Sequence, residues 1–246
     1  MPRMNRLDLI FLRWQRHARS RALLYRFTLA TRVLLAVGFI PTGMVKVLGW
    51  RFTTMSPAYP IGAFFETLYQ SGPYWRFIGL AQVLAGICVL VPAAATLGAV
   101  LFFPIMLNIF VITLSYDFHL TPVITGLMLL ANLYLLCWDY DRLRPILGAA
   151  PFATQSHAPL PDHRLGSAER AVYLVGSASA LCFMLSVRLG LFFRSWSLWL
   201  LAIGTTSAFV ALGFAWVYRF GSPIADRRGT ADAHHEYVQP FTGQGR

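Results

Sequence analysis

The stretch that decides the fold is 28-TLATRVLLAVGFIPTGMVKVL-48. It is long enough to cross a bilayer, which takes about 20 apolar residues at a rise of about 1.5 Å each. Yet it carries Arg32 and Lys46. Hydrocarbon tolerates such side chains badly: a central Arg, Lys or Asp costs about 2.5–3.5 kcal/mol on insertion scales. The conflict recurs downstream, with Arg76 and Gln82 in 74–92, Asn108 in 95–115 and Asn132 in 121–138. Each such residue is expected to face a protein interior or a wet cavity, so these positions mark a candidate site before any fold is drawn.

Two further apolar stretches, 170–188 and 196–218, bring the predicted spans to six. The chain is 57% hydrophobic and 13% charged, against about 45–50% and about 25% for ordinary globular proteins. The sequence therefore predicts an all-α membrane protein, a four-helix transmembrane bundle plus two additional transmembrane helices. The first stretch does not read as a signal peptide. Its apolar part is too long, and Phe39-Ile40-Pro41-Thr42-Gly43 offers no small-x-small cleavage site.

A net charge of +11 would suit nucleic acid, but position argues against that partner. One basic cluster, Arg3 to Arg26, precedes the first span. A second, with Arg142, Arg144, Arg164 and Arg170, lies between spans four and five. A third, with Arg219, Arg227, Arg228 and Arg246, follows the last. An even number of spans puts all three on one side. The positive-inside rule makes that side cytoplasmic and predicts an inner-membrane protein with both termini inside.

The chain then divides in order. Residues 1–26 form a basic segment in which Leu7, Ile10, Phe11 and Trp14 recur at helical spacing, a pattern that suits either an amphipathic helix on an anionic leaflet or a solvated tail. Residues 27–144 hold the four-helix bundle. Its first outer loop contains a short interfacial helix at about 60–70, with Pro57 and Pro60 able to set its start and Ser71-Gly72-Pro73 to stop it, and Glu66 on its polar side. Residues 145–168 are a Pro-rich cytoplasmic linker, 169–219 a two-helix membrane hairpin and 220–246 a polar cytoplasmic tail.

Helical spacing assigns facing. Arg32, Phe39 and Lys46 are seven apart, as are Thr125, Asn132 and Asp139, while Pro104, Asn108 and Ser115 share a stripe on the third span. Those stripes are expected to turn inward, with Gly79, Gln82 and Gly86 letting the second span approach closely. Arg32 and Asp139 fall near the inner boundary and are expected to form a structural salt bridge. Lys46, Arg76, Gln82, Asn108 and Asn132 are expected to line one outward-opening polar funnel beneath the Glu66 helix. Such a funnel suits a lipophilic ring with polar carbonyls, such as a quinone, or a small anion held by Lys46 and Arg76. The plainer alternative is interhelical hydrogen bonding with snorkelling cations.

Cys88, Cys137 and Cys182 lie in different spans with no C-x-x-C, so no thiol-redox pair or metal site is expected. None of the six histidines lies deep in a span, which argues against a bis-His haem. The catalytic residues are not legible, and no intrinsic cofactor is expected beyond a bound quinone.

Several of these positions, Phe39-Ile40-Pro41-Thr42-Gly43-Met44-Val45-Lys46, Tyr74-Trp75-Arg76-Phe77-Ile78-Gly79-Leu80-Ala81-Gln82, Pro104 to Ile109, Leu129 to Tyr134 and Trp138-Asp139-Tyr140-Asp141-Arg142, resemble the DoxX family of small bacterial membrane proteins. The resemblance covers about residues 39–143 and implies a four-helix membrane bundle in a redox or sulfur context. It implies a quinone-associated or electron-transport accessory subunit, with a membrane or soluble redox subunit or a second copy of the chain as partner. A non-enzymatic assembly or scaffold subunit is the alternative. A small-solute transporter is weaker, because no internal repeat is present.

Overall fold

The computed structural model describes residues 10, 14, 15, 17–145 and 165–188, together with isolated helical positions at 204, 207, 211–213, 215 and 216. Among these residues there is helix and no strand. The elements are α1 (Ala22–Val47), α2 (Pro60–Gln70), α3 (Pro73–Leu90), α4 (Ala95–Ser115), α5 (Thr121–Trp138), α6 (Tyr140–Leu143) and α7 (Ser167–Arg188). Five of them, α1, α3, α4, α5 and α7, are long and apolar enough to cross a membrane. The predicted sixth span, 196–218, and the tail 220–246 fall outside the described residues or touch them only at single positions, as does most of the linker 145–168.

The helices form where the apolar runs predicted them, with one shift. α1 begins at Ala22, so Ala22 to Arg26 belong to the first spanning helix and not to the preceding basic segment. Its 26 residues make a rod about 39 Å long. α3 and α5, at 18 residues each, reach about 27 Å and sit at the short end of what spans. Proline opens α2, α3 and α5 within their first two positions, where its missing N–H costs nothing.

α1 packs against α3, α5 and α7; α3 packs against α4, and α4 against α5. The bundle is thus a closed ring, α1–α3–α4–α5, with α7 laid on the outside of α1. Its core is Leu35, Phe39, Ala85, Val89, Ala99, Phe102, Met106 and Leu135, with Phe39 and Phe102 stacked at 3.6 Å between ring centroids. Large apolar side chains such as Leu34, Phe77, Leu101 and Leu130 point away from that core and stay exposed, as a lipid-facing belt requires.

Two glycines set the tightest contact. A Cβ on Gly79 would stand 2.6 Å from the Gly43 carbonyl oxygen, and one on Gly43 would stand 2.8 Å from the Gly79 carbonyl. Backbone meets backbone there, the close approach that small residues permit in lipid. Polar side chains then tie the ring together. Thr28 Oγ1 and Tyr134 Oη are 2.9 Å apart across α1 and α5. Thr113 and Thr125 share a 2.9 Å bond across α4 and α5.

α7 is held to α1 by an ion pair and a hydrogen bond. Arg26 Nε donates to Glu169 Oε1 at 2.9 Å, and Tyr173 Oη donates to the Leu29 carbonyl at 2.6 Å. α2 lies across the Lys46 end of the bundle and contacts α3, with Tyr69 edge-on to Trp75 at 6.4 Å.

Candidate functional site

The two ends of α1 carry the polar chemistry. At one end Asp139, which terminates α5, is 5% exposed, and two cations and a hydroxyl converge on its carboxylate. Arg32 Nη2 lies 3.5 Å from Oδ2, Arg19 Nη2 lies 3.2 Å from Oδ1, and Thr96 Oγ1 donates to Oδ2 at 2.9 Å. The Arg32–Asp139 contact is therefore present, but it belongs to a larger hub. Arg19 also reaches Asp141 at 2.9 Å and the Trp138 carbonyl at 2.6 Å. Gln15 Nε2 donates to the same carbonyl at 2.9 Å and to Asp141 Oδ1 at 2.7 Å. Residues before α1 thus fold back onto the end of α5. Sequence reading missed Arg19, because the segment before the first span was read only for its charge toward lipid.

At the other end Lys46 is 7% exposed, in the last turn of α1. Its Nζ donates to Gln82 Oε1 at 2.8 Å and to the Thr42 carbonyl at 3.3 Å. Gln82 is 2% exposed. Phe52 and Trp75 wall the ammonium, with ring centroids 4.6 and 5.3 Å from Nζ. Trp75 is in turn fixed by a 3.0 Å bond from its indole N–H to the Trp50 carbonyl. A lysine ammonium has three N–H donors, and two are taken among the described residues. No carboxylate among the described residues pairs with Lys46.

The rest of the predicted funnel does not assemble around this pair. Arg76 is exposed and turns toward Gly49, where an added Cβ would stand 3.2 Å from its guanidinium. Glu66 turns to Arg51, with both oxygens 2.9 Å from guanidinium nitrogens. That pair holds the Glu66 carboxyl below its ordinary range and the Arg51 guanidinium above its own, chiefly through the hydrogen bonds between them.

Asn108 is exposed on the outside of α4. The inward face of α4 is Ala95, Gly98, Ala99, Phe102, Met106 and Thr113, and Asn108 lies about 200° around the helix from Met106 at 100° per residue. The expectation failed because α4 is apolar on every side, so no hydrophobic stripe fixed its rotation and a lone amide was taken as the guide. Asn132 does face inward, at 0% exposure, but its Nδ2 donates to the Ala99 carbonyl at 3.2 Å. Ala99 is in the second turn of α4, so Asn132 joins α5 to α4 in the half of the bundle nearer Asp139, away from Lys46. Its Oδ1 is buried without a hydrogen-bond partner.

Phe52, Trp75 and Arg188 complete the Lys46 site and were not predicted. Arg188, in the last turn of α7, sits with its guanidinium carbon 5.2 Å from the Phe52 ring centroid. Its signal was present in the sequence as a cation ending a span, but nothing local said which helix α7 would join. Among the described residues no group of three or more His, Cys, Asp or Glu side chains could hold a metal ion.

These features define a multi-pass helical membrane protein with two separate clusters of buried charged side chains, one at each end of the bundle. Over 129 residues the chain is 33% identical to the uncharacterized protein YwoB of Bacillus subtilis (strain 168), a match covering 49% of this chain and 81% of that protein. The chain belongs to the family of YwoB. No family model and no solved structure matches it.

Proposed function

We propose that the protein is a membrane-embedded accessory subunit of a quinone-linked or electron-transport system, of the DoxX type, which takes a lipophilic molecule by its oxygen-bearing head at Lys46 and Gln82. The reading includes six spans with both termini in the cytoplasm of a bacterial inner membrane, so that Lys46 opens to the outer side. One observation carries it: Lys46 is buried among aromatic rings with a spare N–H donor and no carboxylate partner among the described residues. An ammonium in such a place calls for an acceptor, and a ring carbonyl or an anionic head meets that need beside Phe52 and Trp75. The chain supplies no redox pair, so any electron chemistry comes from the bound molecule or a partner.

The test is mass spectrometry of the small molecules retained by protein purified in native lipid discs, joined to thermal unfolding with added short-chain quinone or anionic amphiphile. A raised melting temperature in the wild type that is lost in Lys46→Met and kept in Arg76→Ala supports the site. Equal responses in wild type and Lys46→Met overturn it. An assembly subunit is the second reading, favoured by α7: it contacts α1 and leaves Leu174 and Val175 66–67% exposed. A stoichiometric protein partner with no retained ligand would support that reading.

A further inference from the structure

Charge at the Lys46 end of the bundle is unbalanced. Lys46, Arg51, Arg76 and Arg188 all lie there, and the chain has ten acidic residues in total. Of these, Glu66 and Asp117 are the ones among the described residues that stand in the connections at that end, the loop 48–72 and the turn 116–120. Glu66 is committed to Arg51. Asp117 forms no ion pair with Lys46 or Arg188. Two cations therefore approach the Phe52 ring, Lys46 Nζ at 4.6 Å and the Arg188 guanidinium carbon at 5.2 Å, with no counter-charge among the described residues.

We propose that Lys46 and Arg188 together hold an anionic, phosphate-type head group, so that α7 completes a ligand site begun by α1 and α3. The inference rests on the reading of Lys46 and Gln82 as a ligand site, and it selects among the heads that reading admits. A neutral ring gives Lys46 an acceptor but leaves both charges uncompensated. A phosphate oxygen accepts from the spare Lys46 N–H and offers further oxygens to the guanidinium, whose planar fork suits such an anion. Phe52, from the loop after α1, lies within 5.2 Å of both cations and gives the niche an apolar wall, and Trp75 adds a second on the side of α3. The head is either that of an anionic lipid or free phosphate, and the chemistry at the two cations is the same.

The full-length protein in neutral phosphatidylcholine discs decides the matter by thermal shift. The probes are dihexanoyl phosphatidylglycerol, dihexanoyl phosphatidylcholine and inorganic phosphate. Phosphatidylglycerol is expected to raise the melting temperature, and Arg188→Gln and Lys46→Gln are each expected to weaken its half-saturation by about tenfold, the worth of one charged hydrogen bond. Arg76→Gln, which removes an exposed cation outside the niche, is expected to leave it unchanged. An equal, Arg188-dependent response to inorganic phosphate supports the same site with a free anion as its source. Equal responses to the zwitterionic and anionic lipids, or an unaltered response in Arg188→Gln, overturn the proposal. If that happens while Lys46→Met still loses its response to quinone, the site stands and only its anionic character falls.

Discussion

Replacing Asp139 by Asn tests the hub at the other end of the bundle. The substitution keeps the shape and removes the charge on which Arg19 and Arg32 converge at 3.2 and 3.5 Å. Those cations are 17% and 12% exposed and Asp139 is 7% exposed at its side chain, so water does little to screen the loss. Breaking a buried pair by removing one partner costs about 3–5 kcal/mol. Long cationic side chains at a membrane boundary relieve part of that by snorkelling, which puts the expected cost near 3 kcal/mol, more than a hundredfold in the folding equilibrium. Equilibrium unfolding in mixed micelles, followed by circular dichroism, measures it. A charge swap sharpens the test. Arg32→Asp with Asp139→Arg places a guanidinium at position 139 beside Arg19, so rescue should be partial, and adding Arg19→Gln should improve it. Full rescue by the swap alone would exclude the Arg19 contact. A cost below about 1 kcal/mol for Asp139→Asn, the range of an exposed pair, would refute the buried hub altogether.

Gly79→Ala should cost about 1–3 kcal/mol by overpacking, because the added Cβ would meet the Gly43 carbonyl and Lys46 Cβ at 2.6 Å each; the same unfolding assay reads it, and an unchanged midpoint counts against the backbone contact. Asn132→Leu should lose about 0.6–1.7 kcal/mol, the range for an interhelical bond in lipid, while the exposed Asn108→Leu should stay within about 0.5 kcal/mol; a reversed order would mean that α4 is rotated the other way. The Glu66–Arg51 pair gives a pH dependence. Glu66 is depressed below its ordinary value of 4.5 in the folded protein, so its contribution is present above that value and disappears as pH falls through the lower folded one. Protection of the amides over 60–70, measured against their intrinsic exchange rates at each pH, should therefore fall below about pH 4.5. In Arg51→Gln protection should be lower above that pH, converge with the wild type below it, and show no such acid step.

The sequence made the helices legible because lipid leaves few alternatives: an apolar run of the right length becomes a helix, and prolines and glycines mark its ends. Heptad spacing also placed Arg32 opposite Asp139 and turned Lys46 and Asn132 inward. It failed on Asn108, and the reason separates two kinds of signal. In water, a polar residue marks the outside and an apolar stripe the inside. In a membrane the outside is apolar too, so a helix such as α4 shows no contrast around its circumference. What fixes its rotation is where backbones fit, and on α4 that face reads Ala95, Gly98, Ala99 and Phe102. Small residues at i, i+3 and i+4 were visible in the sequence and would have oriented the helix where Asn108 misled. Partner choice was less accessible still. Arg188 reaches the Phe52 ring that Lys46 also faces, 142 residues from Lys46, and Arg19 joins Asp139 across 120 residues, and no local pattern encodes a meeting at that distance. Both are cations at the edge of a span, where snorkelling accounts for them with no partner at all. The scarcity of carboxylates in 48–72 and 116–120 was countable from the chain alone, however, and it is that count, combined with the placement of α7, that turns Lys46 and Arg188 into a proposed site.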